Sequence, residues 1–423
     1  MKSVGFPNSV TRIGSNAFSG LTNLTKVQFG TGVTTIGDSA FRDTSLLKEV
    51  TFPKSLISIG DNAFRHSGLQ GVTFGKNVGS IGESAFAENA SMMKLVIPGN
   101  VKHISAGAFQ GNVSLTVLQI GKGVTTIGDS AFAGIKALRA VSIPGTVKTI
   151  GAEAFAGDTA IQYVGFGRGI QSIGGSAFAG NTALQTVVIP GTVKTIGEGA
   201  FRGDTALARA VIRNGVETIG AHAFQDNTAM TGVLIPHSVK VLGDSAYEGN
   251  VAMAGVVIGN GVQTIGNRAF YGCTALTSVV FGKGVSSMGI DMLIGDANET
   301  YLPRTFYLQS ALTSDVLKSS GVVESPPEVQ NRYYSTSAIE DVPFVRLTAA
   351  MMAKKTSSIT AHQAEADSRR AALAERVRQV AVSDVAPQPA PGTYVKYTVS
   401  LAPFPRRKIS RQPQFNSATT TAG

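Results

Sequence analysis

The sequence predicts a solenoid, a rod of short stacked coils, and three observations carry that prediction. The dipeptide Ile-Gly recurs at Ile13, Ile36, Ile59, Ile81, Ile127, Ile150, Ile173, Ile196, Ile219 and Ile265, with Ile104-Ser, Leu242-Gly and Met288-Gly in the gaps. Every step is 23 residues except Ile59 to Ile81, which is 22. Five residues after each stands an aromatic, from Phe18 and Phe41 through Tyr247 to Phe270. Within a unit six columns stay apolar: counted from the aromatic they fall at 0, +6, +9, +11, +15 and +18, as in Phe178, Leu184, Val187, Ile189, Val193 and Ile196. Self-similarity at such a period marks a repeat architecture and overrides the two or three domains that 423 residues would suggest.

Each element of the unit follows from its spacing. Positions +9 and +11 put two apolar side chains on one face of a strand, and Gly or Pro at +12 ends it. Positions +15 to +18 form a second extended segment or turn. Asp or Glu then follows the Ile-Gly, at Asp38, Asp61, Glu83, Asp129, Glu198 and Asp244. These acids are expected to cap a short helical turn that contains Ala-Phe. The shorter unit drops its residue between Phe64 and Leu69, in the turn, so later columns stay in register. A lone unit buries too few side chains to offset the ordering of its backbone, so stability must come from contacts between neighbours. About 13 coils, at about 4.8 Å per paired strand, give a rod roughly 60 Å long.

The pattern V-x-x-I-G-x-x-A-F-x-G-x-x-x-L-x-x-V-x-I-P resembles the BspA-type leucine-rich repeat over residues 1–295. The resemblance implies a right-handed leucine-rich-repeat solenoid with a sheet on its concave side. It also implies that this sheet binds proteins or host surfaces, and it brings no catalytic residues. Cys273 occupies a column where that family often has Cys or Asn. Here the column holds Asn89, Asn112, Asp158, Asn181, Asp204, Asn227 and Asn250. It reads as a polar ladder bonding turn backbone, with a reactive thiol at Cys273 as the alternative. Surface members of the family generally carry an export signal. None is visible in MKSVGFPNSVTRIG, so a cytoplasmic or particle-associated location is favoured over the cell surface.

Composition narrows the chemistry. One Cys excludes a disulfide framework and a multi-Cys metal site. No apolar run approaches the length of a membrane-spanning helix. The five His fall in different columns, and no zincin, nucleophile-elbow, Walker or dinucleotide motif is present. The expectation is a non-enzymatic chain with no cofactor and no metal. Asn23, Asn89, Asn112 and Asn298 stand in glycosylation sequons. Lys and Arg number 37 against 27 Asp and Glu, a net charge of +10. Across the repeats this reads as a thin, solvated excess.

A finer period is visible. Pro7, Pro53, Pro98, Pro144, Pro190 and Pro236 take position +12 in alternate units, and Lys102, Lys148, Lys194 and Lys240 follow the same 46-residue step. The plain reading is growth by duplication of a two-coil unit. The sharper one is a partner that reads alternate coils. Column +10 should face water, and in early units it is polar, with Gln28, Thr51, Thr73, Gln119 and Ser142, except at Val96. In later units it holds Val188, Val211, Leu234, Val257 and Val280. Such a stripe is the candidate interaction site. Three readings stay open: a solvated sheet, a seat for the chain's own C-terminal segment, or a contact with a partner or second copy.

After Met288 the unit decays. Residues 296–359 are expected to cap the last coil, 360–383 to form one helix, and 384–423 to be a Pro-rich basic tail. Arg406, Arg407, Lys408 and Arg411 are the tail's candidate contacts for nucleic acid, anionic lipid or an acidic partner. The function predicted is a scaffold that binds a protein partner, or self-associates, through the concave sheet. The alternative is a structural component of an assembly, its C-terminal arm packing on its own rod or latching onto neighbours.

Overall fold

A computed structural model describes residues 1–289, Met292, and the backbone of four short strands farther along. The chain divides into units of residues 1–372 and 373–423, and the second lies outside the described residues. The expected helix at 360–383 and the basic tail therefore also lie outside them.

Residues 1–289 form a parallel β-solenoid in which thirteen long and thirteen short strands close about twelve turns. The long strand of a coil spans positions +8 to +11, as in Thr186–Ile189, and the short one carries the Ile of Ile-Gly, as in Thr195–Ile196. Neighbouring coils pair in parallel one repeat apart: Val187 opposes Ala210, and Ile196 opposes Ile219. The missing residue of the short unit is absorbed before the strand, since Val50 still opposes Val72. Nine short strands, from His103–Ile104 to Ser287–Met288, form one unbroken ribbon. The long strands line up as four successive sheets on one side of the coils, and the last sheet continues past the repeats: Thr305–Leu308 pairs with Ser278–Phe281, and Phe344–Arg346 pairs with Thr305–Leu308.

The core is the set of apolar columns. The aromatics from Phe41 to Phe270 are fully buried and lie ring over ring, with centroids 5.1 Å apart at Phe41–Phe64 and 5.6 Å at Phe86–Phe109. One Phe per coil at the strand spacing must stack on its neighbours, which adds specific ring contacts to the area buried.

One local expectation is overturned. The Ala-Phe segment is not a helical turn, and no helix occurs among the described residues. Positions two before and two after the aromatic take left-handed backbone, at Ser39 (φ 53°) and Asp43 (φ 61°) for example. Alternating hands point every second N–H out of the coil. Ser39, Phe41 and Asp43 donate to the carbonyls of Asp61, Ala63 and Arg65 at 2.8, 2.8 and 3.0 Å. A helix would turn those donors back on its own carbonyls, whereas here they bind the next coil. The acid after Ile-Gly serves the same purpose: Asp38 Oδ1 accepts from Asp61 N at 3.0 Å, and Asp129 Oδ1 from Ala152 N at 2.7 Å.

The two-coil period also has a steric cause. In the G-x-G coils, a Cβ on Gly123 would collide with the carbonyl oxygen of Gly99, and one on Gly169 with that of Gly145. The Gly coil nests on the Pro coil before it, so the two are not interchangeable.

Candidate functional site

The long-strand sheet has one face in the core and one turned outward. In Lys94–Ile97 the outward Lys94 and Val96 are exposed, while Leu95 and Ile97 are buried. Columns +8 and +10 therefore form the outer face, as the strand period requires. On the early coils this face is open, with Gln28, Thr51, Thr73 and Val96 all exposed.

The stripe singled out in the sequence is brought into line. Val188 opposes Val211, and Leu234 opposes Val257, which opposes Val280. It is not an exposed patch. Val188, Val211, Val257 and Val280 are only 1–5% exposed and Leu234 is half-buried, whereas Val96 in the same column is 41% exposed. The second half of the face is thus closed within the chain.

Sequence reasoning missed an open apolar cluster on the first half. Met93, Val96 and Val117 are exposed on two adjoining coils. Lys94 opposes Val117, Val96 opposes Gln119, and the N–H groups of Thr116 and Val117 share the Met93 carbonyl at 2.9 and 3.2 Å. Val96 was visible as the exception in a polar column, but Met93 and Val117 stand in other columns. Only the coil geometry brings Val117 onto the coil next to Met93 and Val96.

The polar column is a buried ladder. Asn181 Nδ2 donates to the carbonyls of Phe155 and Phe178 at 3.1 and 2.8 Å, while Asp204 Oδ1 accepts from Asn181 N at 2.8 Å. Such side chains tie coil to coil where the turn leaves carbonyls unpaired. Asp158 and Asp204 stand on the same rungs. Burial pushes the Asp158 carboxyl up to about 8 and that of Asp204 well above its usual range, against the bonds that Ile135 N–H and Asn181 N–H donate to them. Cys273 is buried, with Sγ 3.2 Å from the Tyr247 carbonyl, which favours the ladder reading over a reactive thiol. Asn89 and Asn112 are fully buried with their amides bonded to Phe carbonyls, so their sequons are inaccessible in the folded rod.

Among the described residues no three His, Cys, Asp or Glu are grouped to hold a metal, and no helix is long and apolar enough to cross a membrane. The candidate tail contacts Arg406, Arg407, Lys408 and Arg411 lie outside the described residues.

Comparison with known proteins agrees with this architecture. A leucine-rich repeat protein from Bacteroides ovatus is 22% identical, with a TM-score of 0.60 over 82% of this chain and 92% of its own. A leucine rich cell surface protein from Faecalibacterium prausnitzii is 25% identical, with a TM-score of 0.44 over 66% and 88%. A search of the curated proteins finds no match. Proteins built of leucine-rich repeats are generally protein-interaction scaffolds and typically non-enzymatic. Six copies of the BspA type leucine rich repeat region match residues 1–116, 102–231 and 198–298, and the chain belongs to that family.

Proposed function

We propose that this chain is a non-catalytic scaffold that grips a protein partner on the outer face of its long-strand sheet, over the first half of the rod. The carrying observation is the contrast along one column, open at Val96 and closed from Val188 to Val280. Met93, Val96 and Val117 supply the apolar anchors, and Lys94, Gln119 and Thr73 the polar rim that such interfaces carry. In this reading Val188, Val211, Leu234, Val257 and Val280 are an internal seat and not the partner's. Being outside the core, Val96→Glu with Val117→Glu should leave the melting temperature unchanged. The assay is cross-linking of the full chain in its native extract, with captured proteins quantified against the double variant. Loss of the main captured protein supports the reading. Capture unaffected by both substitutions refutes it.

A further inference from the structure

The cations of the repeats are scattered in the sequence and gathered by the fold. Positions −10 to −6 before the aromatic make up the turn and short strand of one face. Over residues 1–295 they hold eight Lys and two Arg, ten of the 22 basic residues there, against a single acid, Glu217. From the fourth coil, six consecutive coils present one exposed cation each: Lys76, Lys102, Lys122, Lys148, Arg168 and Lys194. They alternate between positions −10 and −7, which is the two-coil period seen from this side. The register is fixed by backbone bonds from Thr125 N to Lys102 O, Lys148 N to Thr125 O, Gln171 N to Lys148 O and Lys194 N to Gln171 O, at 2.7–2.8 Å.

The zigzag is narrowed by the glycines. Lys148 Nζ reaches forward over the next coil, 3.4 Å from where a Cβ on Gly169 would sit, and so lies beside Arg168. Lys240 reaches over Gly261 in the same way, also at 3.4 Å. Of the six, Lys194 alone has an acid partner, Glu217 at 2.6 Å, and the other five form no ion pair among the described residues. Apart from Glu217, the acids Glu83, Asp129, Glu153 and Glu198 stand at positions −3 and −2, beyond the buried Ile, and border the row on one side. With about 4.8 Å per coil the row is roughly 24 Å long.

We propose that this row is a docking face for a linear acidic polysaccharide, a chain bearing about one carboxylate or sulfate per sugar. The rise from coil to coil is close to the length of one pyranose unit, so each sugar meets a cation. Beside the cations the same face presents the exposed residues Thr149 and Thr195, whose hydroxyls suit a polyhydroxylated partner. No Phe, Tyr or Trp stands at these positions, so the face lacks the large ring platform on which single-stranded bases stack. The reading is independent of the protein partner proposed above, which takes another face.

The test is binding of the full chain to polygalacturonate. Its methyl-esterified neutral form, duplex DNA and vesicles of phosphatidylcholine with phosphatidylserine serve as comparison probes. Lys76→Gln, Lys102→Gln, Lys122→Gln and Lys148→Gln together should weaken polygalacturonate binding at least tenfold and flatten its salt dependence, with melting unchanged. The matching Lys→Arg variant should retain binding. Substituting Lys2, Lys26, Lys48 and Lys94 by Gln instead should change it less than twofold. No binding to polygalacturonate overturns the proposal, as do equal losses from the two Gln sets, equal binding of the esterified polymer, or tighter binding of DNA or vesicles.

Discussion

The two aspartates of the buried ladder should make the rod less stable as pH rises through neutrality. Where Asn181 donates its amide to the carbonyls of Phe155 and Phe178, Asp158 occupies the equivalent rung with Oδ2 buried and unbonded. An ionised carboxylate there would turn lone pairs on carbonyl oxygens, while the acid form can donate as the Asn does. Burial accordingly pushes the Asp158 carboxyl from 3.8 up to about 8. A group whose value is raised by folding contributes stability that is complete below its unfolded value and lost as pH rises to its folded one. For Asp158 that window runs from about pH 4 to about pH 8. At about 1.4 kcal/mol per pH unit, some three units to pH 7 correspond to about 4 kcal/mol for this side chain. Asp204 adds to it in the same direction. Asp158→Asn combined with Asp204→Asn keeps shape and donor and removes the titration. The assay is urea unfolding at pH 5 and pH 8, with hydrogen exchange at Phe155 and Phe178, since a long repeat array need not unfold in two states. The parent's midpoint should fall from pH 5 to pH 8, and the variant's should be flatter and higher at pH 8. A parent midpoint that holds or rises with pH, or a variant weaker than the parent at pH 8, would refute the argument.

Two more outcomes follow. Phe155→Ala should cost about 3–5 kcal/mol, because the ring is fully buried between the rings of Phe132 and Phe178 at 5.2 and 5.3 Å. Unfolding monitored by calorimetry should lose enthalpy first in the coils around it. Truncation after residue 295 should uncover the column from Val188 to Val280, read as increased binding of the dye ANS and a tendency to aggregate. A truncated chain that stays monomeric and binds no more dye would show that residues 1–295 close that column themselves.

Much of the rod was legible because each coil repeats the same physical choice. The apolar columns report the core, and Gly or Pro at +12 ends the long strand where Ile189 ends it. The polar column was legible for the same reason: a side chain that is Asn in five of these units, among apolar neighbours, must be satisfying backbone. The Ala-Phe turn was misread because an acid before a short apolar segment looks like a helix cap. Its acceptor is spent on the next coil, and a pattern within one unit cannot display that. The late Val column was recognised, but its burial depends on what lies over it, and no single column encodes that.

By itself the sequence determined the period, the strand register and the inward rows, because a side chain repeated every 23 residues is tested against its own copies one coil away. The tertiary structure alone decided which outward surfaces exist. Lys122 and Lys148 are 26 residues apart in the chain and stand on consecutive coils of one face, and Met93 and Val117 become neighbours in the same way. Surface character arises from side chains summed across coils, and only the winding of the backbone sets that sum.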